Sequence, residues 1–392
     1  MDAVRSDGVR LVRDLILLLC LLRPAQAGQY CRGSTCFDNL DDLSEFSAKR
    51  DVYSDNVDRV CYADVGCFSK TEGPLAFLHA LPDNPAWINP TFTLYSDKTP
   101  NGTDIHYKDP ATFMNLRFLN RSPKWLTFVV HGFGSGPGAD WLQGLKDAVL
   151  DDIGGYVIVV GWSKGAELPH YHRAAANTDL IGRMLARLAQ RLIISYPSGL
   201  SASRMHFIGH SLGAQMAHFF SLYLHEISGL KPARITALDA AGPEFEASGV
   251  FVNRNDADFV EGLHTSAGRS LISGELGMIE PFGHVDFYAN GGQRQPGCSS
   301  FNYGCSHTRA HELYIESRKR SGCRFISYPC AGGVAQYVRK KCIQERSQWS
   351  EFGWNTPQTP GRGVQFFETN DRSPFCESPK QIPSLTLSNT NF

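Results

Sequence analysis

Residues Arg204 to Leu224 read RMHFIGHSLGAQMAHFFSLYL. An apolar, strand-like run enters Gly209-His210-Ser211-Leu212-Gly213 and leaves through good helix formers with one apolar face. A strand, a glycine-bracketed turn and a helix together lift a serine hydroxyl off a sheet edge, because glycines allow a turn too tight for a Cβ. Ser211 is therefore the candidate nucleophile. The Leu212 amide would open the helix, where an unpaired N–H and the helix dipole can hold an oxyanion.

A second stretch, Gly161-Trp162-Ser163-Lys164-Gly165, fits the same pattern and also comes after a strand-like run, Tyr156 to Val160. The downstream residues separate the two. After Gly213 comes Ala214-Gln215-Met216-Ala217-His218-Phe219-Phe220; after Gly165 the chain meets Pro169 within a few residues. Ser163 reads as a coincidental match.

Working outward, Trp125 to Val130, Met205 to Ile208, Ile235 to Leu238 and Phe259 to Leu263 are further short aliphatic runs. Between them, Asp179 to Ser195 sets Leu180, Ile181, Met184, Leu185, Leu188 and Leu192 at helical spacing. Continuous apolar strands joined by helical crossovers imply a mostly parallel central sheet with helices on both faces. The fold class is α/β.

The chain has 392 residues and a formal net charge of −1, with no basic block that stands out, so nucleic acid is not an expected partner. Its start reads as a secretory signal peptide over residues 1–27: Arg5, Arg10 and Arg13, then Leu15 to Leu22, then Ala25-Gln26-Ala27. That run is too short to span a bilayer, and no later stretch suits an integral membrane segment. Residues 28–57 form a polar extension with a dibasic Lys49-Arg50, residues 58–376 the folded domain, and residues 377–392 a tail with little to bury.

Of the eleven cysteines, Cys20 lies in the signal segment, and the even remainder suggests five disulfides in an exported, extracellular protein. There is no C-x-x-C pair to suggest a zinc site. Asn101-Gly102-Thr103 is a glycosylation acceptor; Asn120-Arg121-Ser122 is a weaker one because Pro123 comes next.

A serine nucleophile needs a base and a carboxylate, which in this fold class come in the order acid, then histidine. Asp239 ends the run Ile235 to Leu238 and precedes a turn, which puts it at the same sheet edge as Ser211. Asp256, Asp258 and Asp286 read as ordinary surface or ligand carboxylates. Four histidines lie beyond Asp239: His264, His284, His307 and His311. His307 is favoured by a loop stapled at Cys305, just before the helix-like HTRAHELYIESRKR, but the pattern leaves the choice open. A second oxyanion donor is expected from the Phe133 amide, where Trp125 to Val130 runs into His131-Gly132-Phe133-Gly134.

Together, His131-Gly132-Phe133, GHSLGA at 209–214, LDAAGPEF at 238–245, GHVDFYANGGQRQPGC at 283–298 and CSHTRAHELYIES at 305–317 resemble the animal pancreatic-lipase superfamily. CYADVGCFS at 61–69 is similar to the start of its mature catalytic domain. The resemblance covers about residues 58–376 and implies an α/β-hydrolase fold. It implies Ser211, Asp239 and His307 as a catalytic triad and Phe133 and Leu212 as oxyanion donors. It also implies the disulfides Cys61–Cys67, Cys298–Cys305 and Cys330–Cys342, with Cys31–Cys36 and Cys323–Cys376 left over.

Departures from the family pattern carry information too. The lid between Cys298 and Cys305 is only Ser299, Ser300, Phe301, Asn302, Tyr303 and Gly304, a length that resembles the secreted phospholipase A1 branch. The chain stops soon after Cys376, so no C-terminal β-sandwich domain is expected. Gly161 stands where the family has an acidic residue, and Ala240 where it has proline. Of the calcium-loop ligands Asp256 matches, but Asn253 replaces a carboxylate, which implies at most a weak calcium site and no other cofactor. The expectation is a secreted serine carboxylic-ester hydrolase that releases fatty acids from triacylglycerol or phospholipid through an acyl-enzyme. Its partner would be lipid at a membrane or droplet surface. The alternative is a catalytically silent lipid-binding or yolk-type storage protein on the same fold.

Overall fold

The computed structural model describes residues 30–32, 35–37, 58–270, 273–299, 302, 304–319, 323–343 and 346–377. The signal segment, most of the polar extension including Lys49-Arg50, and residues 378–392 of the tail lie outside the described residues. The chain divides into two compact units, Met1–Asn84 and Pro85–Phe392.

In the first unit, β1 (Tyr30–Arg32), β2 (Thr35–Phe37), β3 (Arg59–Tyr62) and β4 (Gly66–Ser69) form an antiparallel sheet in the order β2-β1-β3-β4. Cys61 faces Cys67 across β3 and β4 and is bridged to it. The backbone of Cys31 likewise stands opposite that of Cys36.

The second unit carries β5 (Thr91–Ser96), β6 (Thr99–Asp104), β7 (Leu126–Val130), β8 (Tyr156–Gly161), β9 (Met205–His210), β10 (Arg234–Leu238), β11 (Phe259–His264), β12 (Val285–Ala289), β13 (Phe325–Ser327), β14 (Ser350–Phe352) and β15 (Gly363–Phe367). Nine of these make one sheet in the order β15-β12-β11-β10-β9-β7-β8-β5-β6. Neighbours from β15 through to β8 all pair in parallel. Only the β5–β6 hairpin at one edge brings antiparallel pairs, β5 with β8 and β5 with β6. It is the α/β-hydrolase architecture.

The principal helices are α1 (Asp140–Ile153), α2 (Tyr171–Ser195), α3 (Leu212–Ser228) and α4 (Cys305–Arg318). Strand alternation explains why helices cover both faces. Val129 of β7 joins Leu142, Leu145 and Val149 of α1 and Leu313 of α4 in one core, while its neighbour Phe128 turns the other way, 5.4 Å from Phe220 of α3. Both residues are buried, and a strand buried on both faces shows the continuous apolar run seen in the sequence.

Two boundaries differ from expectation. The helix read as Asp179 to Ser195 begins at Tyr171. Its first turns are built from Ala174, Ala175, Ala176 and Asn177, all buried, and such small side chains give no apolar period to read. His307 lies in the first turn of α4 rather than in a loop ahead of it, because the helix starts at Cys305.

Candidate active site

The turn at residues 209–213 is forced by backbone contact. A Cβ on Gly209 would lie 2.2 Å from the Gly213 carbonyl oxygen, and one on Gly213 would lie 2.5 Å from that of Val130. Between them Ser211 takes φ 57° and ψ −122°, a strained conformation for any residue with a side chain. Its amide donates to Leu238 O at 3.1 Å, and α3 begins at the next residue. The helix closes at Gly229, which is left-handed and donates to His225 O at 2.7 Å.

The loop after β7 packs directly on this serine. A Cβ on Gly132 would lie 2.6 Å from Ser211 Cβ and 3.2 Å from its Oγ, so a side chain there would displace the serine. His131 holds the loop in place. Its Nε2 accepts from the Trp162 amide at 3.1 Å, so Nδ1 carries the proton and donates to Gly132 O at 2.9 Å. Burial pushes the His131 imidazole down to about 4, which keeps it neutral. The Trp162 indole N–H donates back to His131 O at 2.9 Å, and the Gly134 amide donates to Ala166 O at 2.7 Å. Trp162 and Ala166, within and just after the second Gly-x-Ser-x-Gly match at 161–165, thus buttress the loop that carries Phe133. Gly161 has no room for the acidic side chain expected from the family: a Cβ would meet Thr91 Oγ1 at 2.4 Å and Pro137 Cγ at 2.8 Å.

Asp239 and His307, 68 positions apart, meet at 2.6 Å, with His307 Nδ1–H donating to Asp239 Oδ2. The carboxylate also accepts the Ser266 hydroxyl at 2.5 Å on Oδ2, and the amides of Thr265 and Ser266 at 2.7 and 3.0 Å on Oδ1. Burial alone would raise the pKa of Asp239, but the hydrogen bond and charge interaction with His307 and the hydrogen bonds from Ser266 and Thr265 outweigh it and hold the carboxyl below its ordinary value. The hydrogen bonds of the His307 ring run through Nδ1, which leaves Nε2 as the nitrogen for a serine proton. His210, next to Ser211, donates from Nε2 to His307 O at 3.0 Å, and the two rings lie 4.5 Å apart.

The other histidines are engaged elsewhere. His264 Nδ1 meets Met278 O at 2.9 Å and its Nε2 meets Asp286 at 3.1 Å. Burial opposes the charged form of its ring, but Asp286 outweighs this and raises the group above its usual value. His284 accepts the Val260 amide at 2.9 Å. His311 stacks on Trp141 at 4.4 Å, and burial, with His307 adding to it, pushes it down to about 3. Burial also drives His210 well below the ordinary value. An imidazolium formed at His307 therefore meets neutral rings at His210 and His311 rather than competing cations.

Asp258 is exposed, as expected of a surface carboxylate. Asp256 and Asp286 are not surface groups: both are buried and spoken for. Asp286 also accepts the amides of Phe282 and Gly283. Asp256 takes His218 Nδ1 at 3.0 Å and the Asn253 amide at 2.8 Å, while the Asn253 side-chain amide donates to Phe251 O.

Cys298–Cys305, Cys330–Cys342 and Cys323–Cys376 are bridged. Of the six residues expected to form a lid, Ser299, Asn302 and Gly304 are described; Ser300, Phe301 and Tyr303 lie outside the described residues. The Asn302 amide donates to Ser299 O at 3.1 Å. Asn101 is exposed on the edge strand β6. Sequence reasoning missed Ser266 and Gln295. The Gln295 side chain donates to both Thr265 O and Ala289 O, and its backbone amide donates to Ser306 Oγ, tying the ends of β11 and β12 to α4. A polar residue soon after His264 was the only available sign of the first, and nothing local marks the second.

Known proteins agree with this architecture. The chain is 34% identical over 281 residues to pancreatic lipase-related protein 2 of Cavia porcellus, covering 69% of this chain and 62% of that one. It is 32% identical over 362 residues to inactive pancreatic lipase-related protein 1 of Homo sapiens, covering 84% and 74%. It is 31% identical over 320 residues to lipase member H-A of Xenopus laevis, covering 75% and 65%. The chain thus spans between about three fifths and three quarters of the length of these relatives. The Lipase family model matches residues 58–375, from β3 to the last described strands and the Cys323–Cys376 region, and the chain belongs to that family, the animal pancreatic-lipase superfamily.

Proposed function

We propose that this protein is a secreted serine carboxylic-ester hydrolase that releases fatty acids from glycerolipids. The observation that carries the reading is the strained Ser211 seated against Gly132, with its neighbour His210 bonded to the backbone of a His307 that is coupled to Asp239. Ser211 Oγ attacks the acyl carbonyl and its proton passes to His307 Nε2. The Phe133 and Leu212 amides receive the oxyanion. The alcohol portion leaves with the proton from His307, and a water activated by the same imidazole then hydrolyses the acyl-enzyme. Asp239 stays ionised and fixes the proton on Nδ1. Each proton and charge in this scheme is handled by protein groups, so the reading needs no cofactor.

The lid of six residues favours phospholipid or short-chain glycerides over emulsified long-chain triacylglycerol, since a membrane-seeking amphipathic helix needs several turns. The disulfides support an extracellular location, and exposed Asn101 suits glycosylation. A catalytically silent lipid-binding protein is the second reading, and the inactive human relative is what favours it. Fatty-acid release from phosphatidylcholine and from trioleoylglycerol, each with a Ser211→Ala control, tests both. Release from phosphatidylcholine that the control lacks is the expected result; no release from either lipid, with no labelling of Ser211 by an organophosphonate, would leave the silent reading.

A further inference from the structure

Seven large apolar side chains stand exposed among the described residues, and four of them flank the candidate site. Leu168 lies beyond β8 and borders the Phe133 loop, 3.4 Å from the position of a Cβ on Gly134. Trp87 precedes β5, whose first residue pairs with Gly161 at the carboxyl end of β8. On the other side are Val338 and Ile343. Val338 and Tyr337 cover Gly291, just past the carboxyl end of β12, and Tyr337 stacks on Phe366 of β15 at 4.6 Å. Ser211 comes directly after β9, between the two groups in the sheet order. At about 4.8 Å per strand, β8 and β12 lie roughly 10 and 14 Å from β9.

Charge distinguishes the second group. Between Val338 and Ile343 run Arg339, Lys340 and Lys341, all exposed, and the Cys330–Cys342 bridge closes the loop that presents them. The turn is set by the amides of Lys340 and Lys341, which donate to Tyr337 O and Gln336 O at 2.8 and 2.9 Å. Glu368, which reaches Tyr337 Oη at 3.5 Å, is a neighbouring acid, and the loop keeps a cationic excess. Three cations amid a near-neutral sequence did not stand out as a block; the structure exposes them beside two aliphatic side chains, 62% and 78% exposed, on one short stretch.

We propose that the Cys330–Cys342 loop and the adjoining Ile343 are a docking foot for an anionic phospholipid surface, with Trp87 and Leu168 as the second contact across the site. The proposal rests on the lipid-hydrolase reading above. The cations would meet anionic headgroups while Val338 and Ile343 enter the acyl boundary. A soluble polyanion would satisfy the cations but leave the aliphatic pair in water, which is why lipid is the better occupant. Contact at both places turns the edge that carries Ser211 toward the surface.

The test is sedimentation of the full chain with phosphatidylcholine vesicles, alone or mixed with phosphatidylserine, alongside hydrolysis of p-nitrophenyl butyrate in solution. The wild type is expected to prefer the mixed vesicles, with binding that weakens as salt rises. Each headgroup-facing cation is worth roughly fivefold in affinity, so Arg339→Glu/Lys340→Glu/Lys341→Glu should lose on the order of a hundredfold or more on mixed vesicles. Val338→Ser/Ile343→Ser should weaken binding to both vesicle types, and butyrate hydrolysis should stay at the wild-type rate in both variants. If the triple reversal perturbs folding, Arg339→Gln/Lys341→Gln gives the same direction at smaller size. Equal binding to both vesicles that ignores these variants would overturn the proposal, as would retention on heparin without vesicle binding. A wild type that leaves butyrate intact would instead sink the catalytic reading, whatever the vesicles show.

Discussion

The two Gly-x-Ser-x-Gly turns lie at the same edge of the same sheet, two strands apart, and have opposite character. At 209–213 the glycines are pressed against backbone, Ser211 is buried with a positive φ, and a seventeen-residue helix begins. At 161–165 a 3-10 turn spans Ser163–Ala166, Ser163 is exposed, and the chain goes on to Pro169. One turn positions a hydroxyl; the other uses Trp162 and Ala166 to hold the loop facing that hydroxyl. A motif of five residues specifies little until the contacts of its glycines are known.

The comparison breaks most directly at the serines themselves. Ser211→Ala should lower kcat by about four powers of ten or more, whereas Ser163→Ala should stay within about twofold. An ester-hydrolysis assay in which the Ser163 variant is the dead one would reverse the assignment of the two turns.

The closing glycines come next. A Cβ on Gly213 meets the Val130 and His131 carbonyls at 2.5 and 2.7 Å, atoms fixed in or beside a central strand. A Cβ on Gly165 meets the Ile88 and Asn177 side chains at 3.1 and 3.3 Å, which can give way. Gly213→Ala should therefore cost about 3 kcal/mol or more and Gly165→Ala about 1 kcal/mol. Denaturant unfolding measures both; equal losses would mean the first turn is less constrained than its contacts indicate.

The serines differ also in what stands behind them. The base proposed for Ser211 has a carboxylate partner that is itself held: Ser266 supplies one of the hydrogen bonds that keep Asp239 oriented toward His307. Exposed Ser163 sits in a turn whose backbone contacts serve the neighbouring loop instead. Ser266→Ala should lower kcat by roughly tenfold with little change in KM, since it acts through Asp239 and not on the substrate. A rise in KM alone would place Ser266 in substrate binding.

An effect that appears only in acid concerns the histidines packed about the first turn. His311 is buried and neutral, with its value in the folded state near 3 against about 6.5 when unfolded. Between those values the unfolded chain binds the extra proton, so stability is full above about pH 6.5 and falls as pH drops toward 3. His311→Phe keeps an aromatic ring against Trp141 and removes that proton site. It should flatten the acid side of the stability curve, by on the order of 3 kcal/mol at pH 4. Thermal melts of both proteins across that range would show an unchanged slope if the ring is not the group that titrates.

Much of this arrangement could be read from residues in order. The parallel sheet is foretold by continuous apolar runs, the turn at Ser211 by glycines two positions to either side, and the place of Asp239 by a strand end before Ala240-Ala241-Gly242-Pro243. These features are decided within a few residues, by Cβ sterics and side-chain period, and so they survive in a linear text. The choice among His264, His284, His307 and His311 does not, because each is a histidine near a strand end or a helix and only distant contacts distinguish them. Asp286 takes His264, Val260 takes His284, Trp141 takes His311, and Asp239 takes His307 across 68 residues. Ser266, Gln295 and the buttress at Trp162 belong to the same class. Their roles arise where strand ends and loops converge, and only the tertiary structure brings those segments together.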